Sequence, residues 1–230
     1  MYEAVHAHPD GESTAARFAR DAARMGFEGV VVRARGADPD YEALAAAPVD
    51  VVDAVEVVAS GPEQASGTVG SVRPDHTLVC LRGGTDALNR FAVEHERVDV
   101  LTRPMAGGGG FNHVLARSAA DNGVRVEFDF GPVLRSTGGP RVKALGRLRT
   151  LRELVAHYDA PYVVSANPTS HLHLRGPREL VAVGEEAGFA AEWVRAGLRE
   201  WGVVAERNRE RQSESFIGPG VERGRYEKDP

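Results

Sequence analysis

The sequence predicts an α/β fold, a closed TIM-like (β/α) barrel. Apolar runs of strand length alternate with helix-like runs along most of the 230 residues, and that alternation calls for a parallel sheet. The candidate strands number eight, which suits closure better than the alternative, an open doubly wound sheet. Five apolar runs also lead into an arginine: 29–35 into Arg33 and Arg35, 77–82 into Arg82, 98–103 into Arg103, 124–135 into Arg135, and 161–175 into Arg175. Strand exits of a parallel fold share one face, where loops carry function, so the arginines predict a cationic end that meets an anionic ligand.

The elements follow in order. Residues 2–6 form a strand, and 13–25 a helix in which Ala16, Phe18, Ala19, Ala22 and Ala23 share a face before the stop at Gly26. Residues 29–34 are a strand, 41–47 a short helix and 51–59 a strand, while 60–75, rich in Gly, Pro and Ser, read as a loop. Then come a strand at 77–81, a helix at 86–94, a strand at 98–101 and a helix at 112–121 closed by Asn122 and Gly123. A strand at 124–130, a long helix at 140–158, a strand at 162–165 and helices at 177–187 and 190–200 lead to a last strand at 203–205. One barrel domain, 1–206, is expected, followed by a flexible tail over 207–230 that lacks periodicity.

Composition narrows the function classes. Hydrophobic content of 42% and charged content of 27% are those of a globular protein with a full core. The single cysteine, Cys80, lies in an apolar run, so it packs as a small hydrophobe, and a reducing compartment is expected. No basic-then-apolar leader or run of roughly 20 apolar residues occurs, so no membrane partner and a cytoplasmic location are expected. Lysine stands only at Lys143 and Lys228, and every other side-chain cation besides histidine is arginine. With 33 acids, this suits a GC-rich, salt-adapted source. Close bidentate arginine contacts survive such screening better than long-range attraction does.

Several clusters carry candidate chemistry. His6 and His8, two apart at the end of the first strand, share a side and are weak metal candidates, but neighbouring strand exits carry arginines rather than further ligands. Glu127 and Asp129 alternate with apolar residues and face the barrel interior, either as an acid and base pair or as counter-charges to arginines. Residues 107–110, four glycines before a helix, are a phosphate cradle or a flexible loop. His171 and His173 have no partner cluster near them in sequence. Residues 131–152 hold Arg135, Arg141, Lys143, Arg147, Arg149 and Arg152 without an acid, whereas residues 1–60 hold eleven acids and five arginines. A chain with net charge -5 that concentrates cations in this way is electrically lopsided, which suits an oriented encounter with a polyanion.

Five blocks then point to a family: VDVL at 98–101, FNHVLAR at 111–117, ADNGVRVEF at 120–128, VVSAN at 163–167 and LRGPREL at 174–180. In order and spacing the chain, from residue 1 to about 206, resembles ribonuclease P protein component 3, the p30-type subunit family of archaeal and eukaryotic ribonuclease P. The resemblance implies a barrel related to polymerase-and-histidinol-phosphatase hydrolases. It relates His6 and His8 to the first half of those enzymes' metal motif, with Ala4 where an acid is usual and Asn167 in the place of a late ligand. It further implies a subunit of a ribonucleoprotein endoribonuclease that removes the 5′ leader of precursor tRNA. Cleavage then falls to the RNA with RNA-held Mg2+, no cofactor is bound by the chain, and the partners are the ribonuclease P RNA and ribonuclease P protein component 2, in a heterotetramer.

The expected role is a non-catalytic RNA-binding scaffold. Arg33, Arg35, Arg82, Arg103, Arg135 and Arg175 would contact phosphates, with Lys143, Arg147 and Arg149 on the long helix beside them. The rival reading is a metal-dependent phosphoesterase centred on His6 and His8, with the arginines holding substrate phosphate. A small-molecule phosphate-binding barrel is a third.

Overall fold

The computed structural model describes residues 1–35 and 39–213, together with the backbone of 216–218 and 221–222. Its main sheet has seven parallel strands in sequential order: β1 Tyr2–His6, β2 Gly29–Ala34, β3 Asp50–Val57, β4 Leu78–Arg82, β5 Val100–Thr102, β6 Arg125–Asp129 and β7 Tyr162–Ser165. Each strand pairs with its predecessor, as a barrel built one unit at a time requires. The connecting helices are α1 Ala15–Met25, α2 Tyr41–Leu44, α3 Pro62–Val72, α4 Asp86–Glu94, α5 His113–Asn122, α6 Gly131–Arg135 and α7 Gly138–His157. After β7 come α8 Pro177–Glu186 and α9 Ala191–Gln212, and a small antiparallel pair, β8 Phe216–Gly218 and β9 Val221–Glu222.

Three expectations are corrected. Residues 62–72 are helical rather than loop, because Pro62 pre-sets the first turn and Ala65 and Val69, four apart, give the helix a buried face. The expected strand at 203–205 is part of α9, in which Trp201, Val204, Ala205 and Asn208 are buried at helical spacing. The sheet accordingly has seven strands, not eight. Residues 207–212, expected in the tail, also belong to α9. The side chains from 214 onward, and residues 214–215, 219–220 and 223–230 altogether, lie outside the described residues.

Strand periodicity sorts the core into two parts. Val5, Val30, Val32, Val79 and Val126 join the large cluster beneath the outer helices. The alternate residues Ala4, Val31, Ala54, Cys80, Val100 and Val163 form a second cluster with Trp201, Val204 and Ala205 of α9, and this fills the barrel. Cys80 is buried within it, and burial raises its thiol pKa, so it is an inert packing residue.

Strands β1 and β7 are not paired as a ladder; side chains and α9 bridge the gap. The Glu3 carboxylate accepts from Ser165 Oγ at 2.5 Å and from the amides of Ala166 and Ala4 at 3.0 Å. Beyond them, the His6 amide donates to the Pro168 carbonyl at 3.0 Å. Helix α9 lies against this seam, where Trp201 Nε1 donates to the Val164 carbonyl at 2.9 Å. Two glycines permit the approach: a Cβ on Gly197 would sit 2.5 Å from Val164, and one on Gly202 2.5 Å from Tyr2. Further along α9, Asn208 Nδ2 donates to the Thr77 carbonyl and to Asp99, at 2.9 and 2.7 Å, and Arg209 grips Asp50. These contacts lie at strand starts, so α9 is fastened to that end of the barrel.

Burial pushes the Glu3 carboxyl up to about 7, against the hydrogen bonds that favour its charged form. The folded protein therefore holds this proton more tightly than the unfolded chain. Both states are protonated below about pH 4. As pH rises towards 7 the unfolded state ionises first, and Glu3 makes a growing destabilising contribution of up to ~3 kcal/mol. Glu3→Gln should remove that slope. Urea denaturation from pH 4.5 to 8 checks it, and a stability profile parallel to the native one would refute the assignment.

Candidate functional site

One position beyond the apolar interior layer, moving toward the strand ends, the inward side chains become polar. Two residues after Ala4, Val31, Ala54, Cys80, Val100 and Val163 stand His6, Arg33, Glu56, Arg82, Thr102 and Ser165. Strand β6 contributes Glu127 and Asp129 at inward positions. The sequence thus builds a charged layer at the open mouth of the barrel.

Arg33 lies at its centre and is fully buried. Its guanidinium stands 3.0 Å from Glu127 and 3.7 Å from Glu56, donates to the side-chain oxygen of Asn167, and lies 5.6 Å from the Trp201 ring centroid. Asn167 reaches it from a left-handed backbone, φ 50°, a strained conformation for a residue with a side chain. The carboxylates hold Arg33 firmly charged despite its burial. Arg33 and Arg82 hold Glu56 down to about 2, against burial, and Glu56 also accepts from Arg82 at 2.6 Å and from Thr102 Oγ1 at 3.0 Å. Burial raises the Glu127 carboxyl above the usual range while Arg33 pulls the other way. His6 is buried and held neutral, down to about 3, by desolvation and the nearby Arg33.

These placements correct two expectations. Arg33 is not on an RNA-facing surface, because an inward position at the end of β2 puts it inside the barrel. His6 and His8 do not converge: His6 points into the barrel, whereas His8 is exposed in the turn after β1. The residues do not fit a divalent cation, since the carboxylates that would neutralise one, Glu56 and Glu127, already share a fixed guanidinium. Among the described residues no group of three or more His, Cys, Asp or Glu is placed to hold a metal.

Of the two readings of Glu127 and Asp129, the geometry favours counter-charges. Asp129 lies 3.7 Å from Arg103 Nε and caps the Gly131 amide at 2.8 Å. The glycines at 107–110 lie in a loop, and its last two amides are engaged within the protein rather than offered to a phosphate. The Gly109 amide donates to the Gly84 carbonyl and the Gly110 amide to Asp86, both at 2.9 Å, while Asn112 caps α5. His171 and His173 are tied instead to Ser13 and Thr169.

Three of the remaining arginines come together at the mouth. Arg103, in a left-handed conformation, Arg135 at the end of α6 and Arg147 on α7 line one cleft of about 400 Å³, with Glu127 and Asp129 also in its lining. Arg135 is braced by donating to the carbonyls of Ala166 and Asn167 at 2.9 and 3.2 Å. Arg82 emerges beside Glu56, Arg35 pairs with Asp10 at 3.1 Å, and Arg175 donates to the Leu172 and Leu174 carbonyls. Lys143, Arg147 and Arg149 are exposed on α7, with Arg149 bonded to the Ala187 carbonyl at 3.2 Å. Sequence reasoning missed Glu56 and Thr102. A signal existed in their inward parity with Ala54 and Val100.

The family model described as RNase P subunit p30 matches residues 1–213. The chain belongs to the RNase P subunit p30 family. Among curated members, ribonuclease P protein component 3 of Halorubrum lacusprofundi is 62% identical, with 100% of both chains covered. That of Halobacterium salinarum is 56% identical over 100% of both, and that of Methanococcoides burtonii 33% identical over 95% of this chain and 91% of its own. A chain of the cryo-EM structure of archaeal ribonuclease P with mature tRNA shares the p30 fold seen here, with TM-score 0.83 at 21% identity over 100% of both chains. The barrel also resembles a prolidase complexed with N-methylphosphonate-L-proline, at TM-score 0.56 and 11% identity, covering 96% of this chain and 77% of the other. No described helix is long and apolar enough to cross a membrane.

Proposed function

We propose that this p30-family chain is the RNA-binding scaffold subunit of a ribonuclease P that removes the 5′ leader of precursor tRNA in the cytoplasm. Its partners are the ribonuclease P RNA and, through a heterotetramer, ribonuclease P protein component 2. The catalytic Mg2+ belongs to the RNA and not to this chain. The observation that carries the reading is the contrast at the barrel mouth: Arg103, Arg135 and Arg147 line a cleft there, while the buried Glu56 and Glu127 are countered by Arg33. Such a face suits phosphate, and among the described residues it has no convergent metal ligands, which disfavours the phosphoesterase reading.

The contacts proposed are Arg35, Arg82, Arg103, Arg135, Lys143, Arg147, Arg149 and Arg175. Arg135→Ala and Arg175→Ala should each weaken association with the ribonuclease P RNA and lower the salt dependence of binding by a slope of about 1. Each removes hydrogen bonds to carbonyls, so a stability loss of about 1 kcal/mol accompanies it, too little to unfold the protein. Salt-titrated binding and reconstituted processing of precursor tRNA check this. Unchanged values for both variants would overturn the contact assignment.

A further inference from the structure

The cleft beside Arg103 and Arg135 has more than a cationic rim. Its walls are apolar: Met105 from the segment after β5, Pro132 from α6, and Ala144, Leu148 and Leu151 from α7. Its volume of about 400 Å³ falls within the roughly 300–1,000 Å³ of small-molecule sites. Phosphate neutralisation alone needs no such depth. In the lining is one reachable carboxylate with acceptor capacity to spare, that of Asp129. Glu127 is 1% exposed, with both oxygens enclosed and an ion pair to Arg33, so it lies behind the cleft wall as a counter-charge. Asp129 Oδ1 is occupied by the Gly131 amide, whereas Oδ2 has only Arg103 at 3.7 Å, beyond hydrogen-bond reach.

We propose that this cleft receives one unstacked nucleotide of an RNA strand, with its base between Met105 and Leu148 and its phosphates on Arg103, Arg135 and Arg147. The proposal rests on the RNA-binding reading above and deepens it. Three chemistries meet in the cleft, and a nucleotide supplies the complement of each: a flat apolar body, an anion, and an edge carrying N–H donors. Single-stranded RNA is recognised by splaying bases out and bonding their edges. Asp129 Oδ2 selects among bases, because a carboxylate accepts from an exocyclic amino group. Cytosine and adenine present that group on the Watson–Crick edge. Uracil offers one N–H between two carbonyl oxygens that face the Asp129 carboxylate unfavourably.

The test is fluorescence anisotropy with the full chain and labelled single-stranded hexanucleotides of C, A or U, each with a counterpart abasic at two central positions. C and A hexamers should bind about tenfold more tightly than U or abasic hexamers. Asp129→Asn should reduce that ratio to about twofold, leaving the salt-dependent part of binding in place. Ala144→Trp, on the outer helix α7, should abolish the difference by filling the cleft, with circular dichroism confirming the fold. Base-independent hexamer binding would overturn the cleft assignment while leaving the scaffold reading intact. Loss of all affinity for hexamers and for the ribonuclease P RNA would overturn the scaffold reading itself. Cytidine or adenosine monophosphate binding as tightly as its hexamer would show a free-nucleotide site and overturn the RNA source. Loss of a protein partner in Ala144→Trp, without base discrimination in the native chain, would assign the cleft to protein and also overturn the proposal.

Discussion

Arg33→Met should destabilise the protein by about 3–5 kcal/mol, the cost of stranding buried carboxylates without their cation. The guanidinium is fully buried and stands between Glu56 and Glu127, so its loss leaves Glu127 buried without its cation and Glu56 with Arg82 alone. Glu127 then escapes the penalty by taking a proton, and the loss should be smaller at pH 5 than at pH 8. Arg33→Lys should recover only part of the stability, because a single ammonium cannot reach both carboxylates and Asn167 as the planar fork does. The triple variant Arg33→Met, Glu56→Gln, Glu127→Gln should recover most of it, since neutralising both buried acids removes the charges that Arg33 had compensated. Urea denaturation at the two pH values reads these effects. An Arg33→Met chain as stable as the native one at pH 8 would show that the charged layer is not held together by this residue.

Trp201→Ala is the second large effect expected, at about 3–5 kcal/mol. The indole is fully buried in the barrel interior beside the Arg33 guanidinium, and its N–H satisfies the Val164 carbonyl. The substitution opens a cavity and orphans that carbonyl at the seam between β1 and β7. Trp201→Phe keeps most of the volume and loses the hydrogen bond, so it should cost about 1–2 kcal/mol. A reduced urea midpoint with an unchanged denaturant slope is the expected signature. If Trp201→Ala shifted the midpoint no more than Trp201→Phe, packing of α9 into the barrel would not matter to closure.

Much of the fold was legible because its strands are short apolar runs rich in valine, bounded by helices with clear stops. β2 at Gly29–Ala34, α4 at Asp86–Glu94 and β7 at Tyr162–Ser165 lie where the residue pattern places them. Helix α3 was illegible because its glycines and serines disfavour helix locally, and Ala65 and Val69 repay that only once packed. The last strand was misplaced because Val203 and Val204 have strand character, whereas the burial of Trp201, Ala205 and Asn208 follows a helical period.

The site was legible as a place and not as a set of contacts. An arginine at a strand exit can point outward or inward, and only parity with neighbouring strands decides. Arg33 shares inward parity with Val31, so it belongs to the interior with Glu56, while Arg103 and Arg135, beyond the strand ends, are free to reach the mouth. The apolar walls of the cleft come from three segments, after β5, in α6 and in α7, and no local pattern announces such a meeting.

Helix α9 sets an order of events during synthesis. The strands pair in the sequence in which they leave the ribosome, each with the one just made. The residue that fills the barrel, Trp201, and the polar clasps at Asn208 and Arg209 follow all seven of them. Until that helix emerges, the nascent sheet carries an unfilled inner face and a seam lacking its cover. A growing chain is therefore most exposed to mispairing and capture by chaperones in the interval between the release of β7 and the arrival of α9.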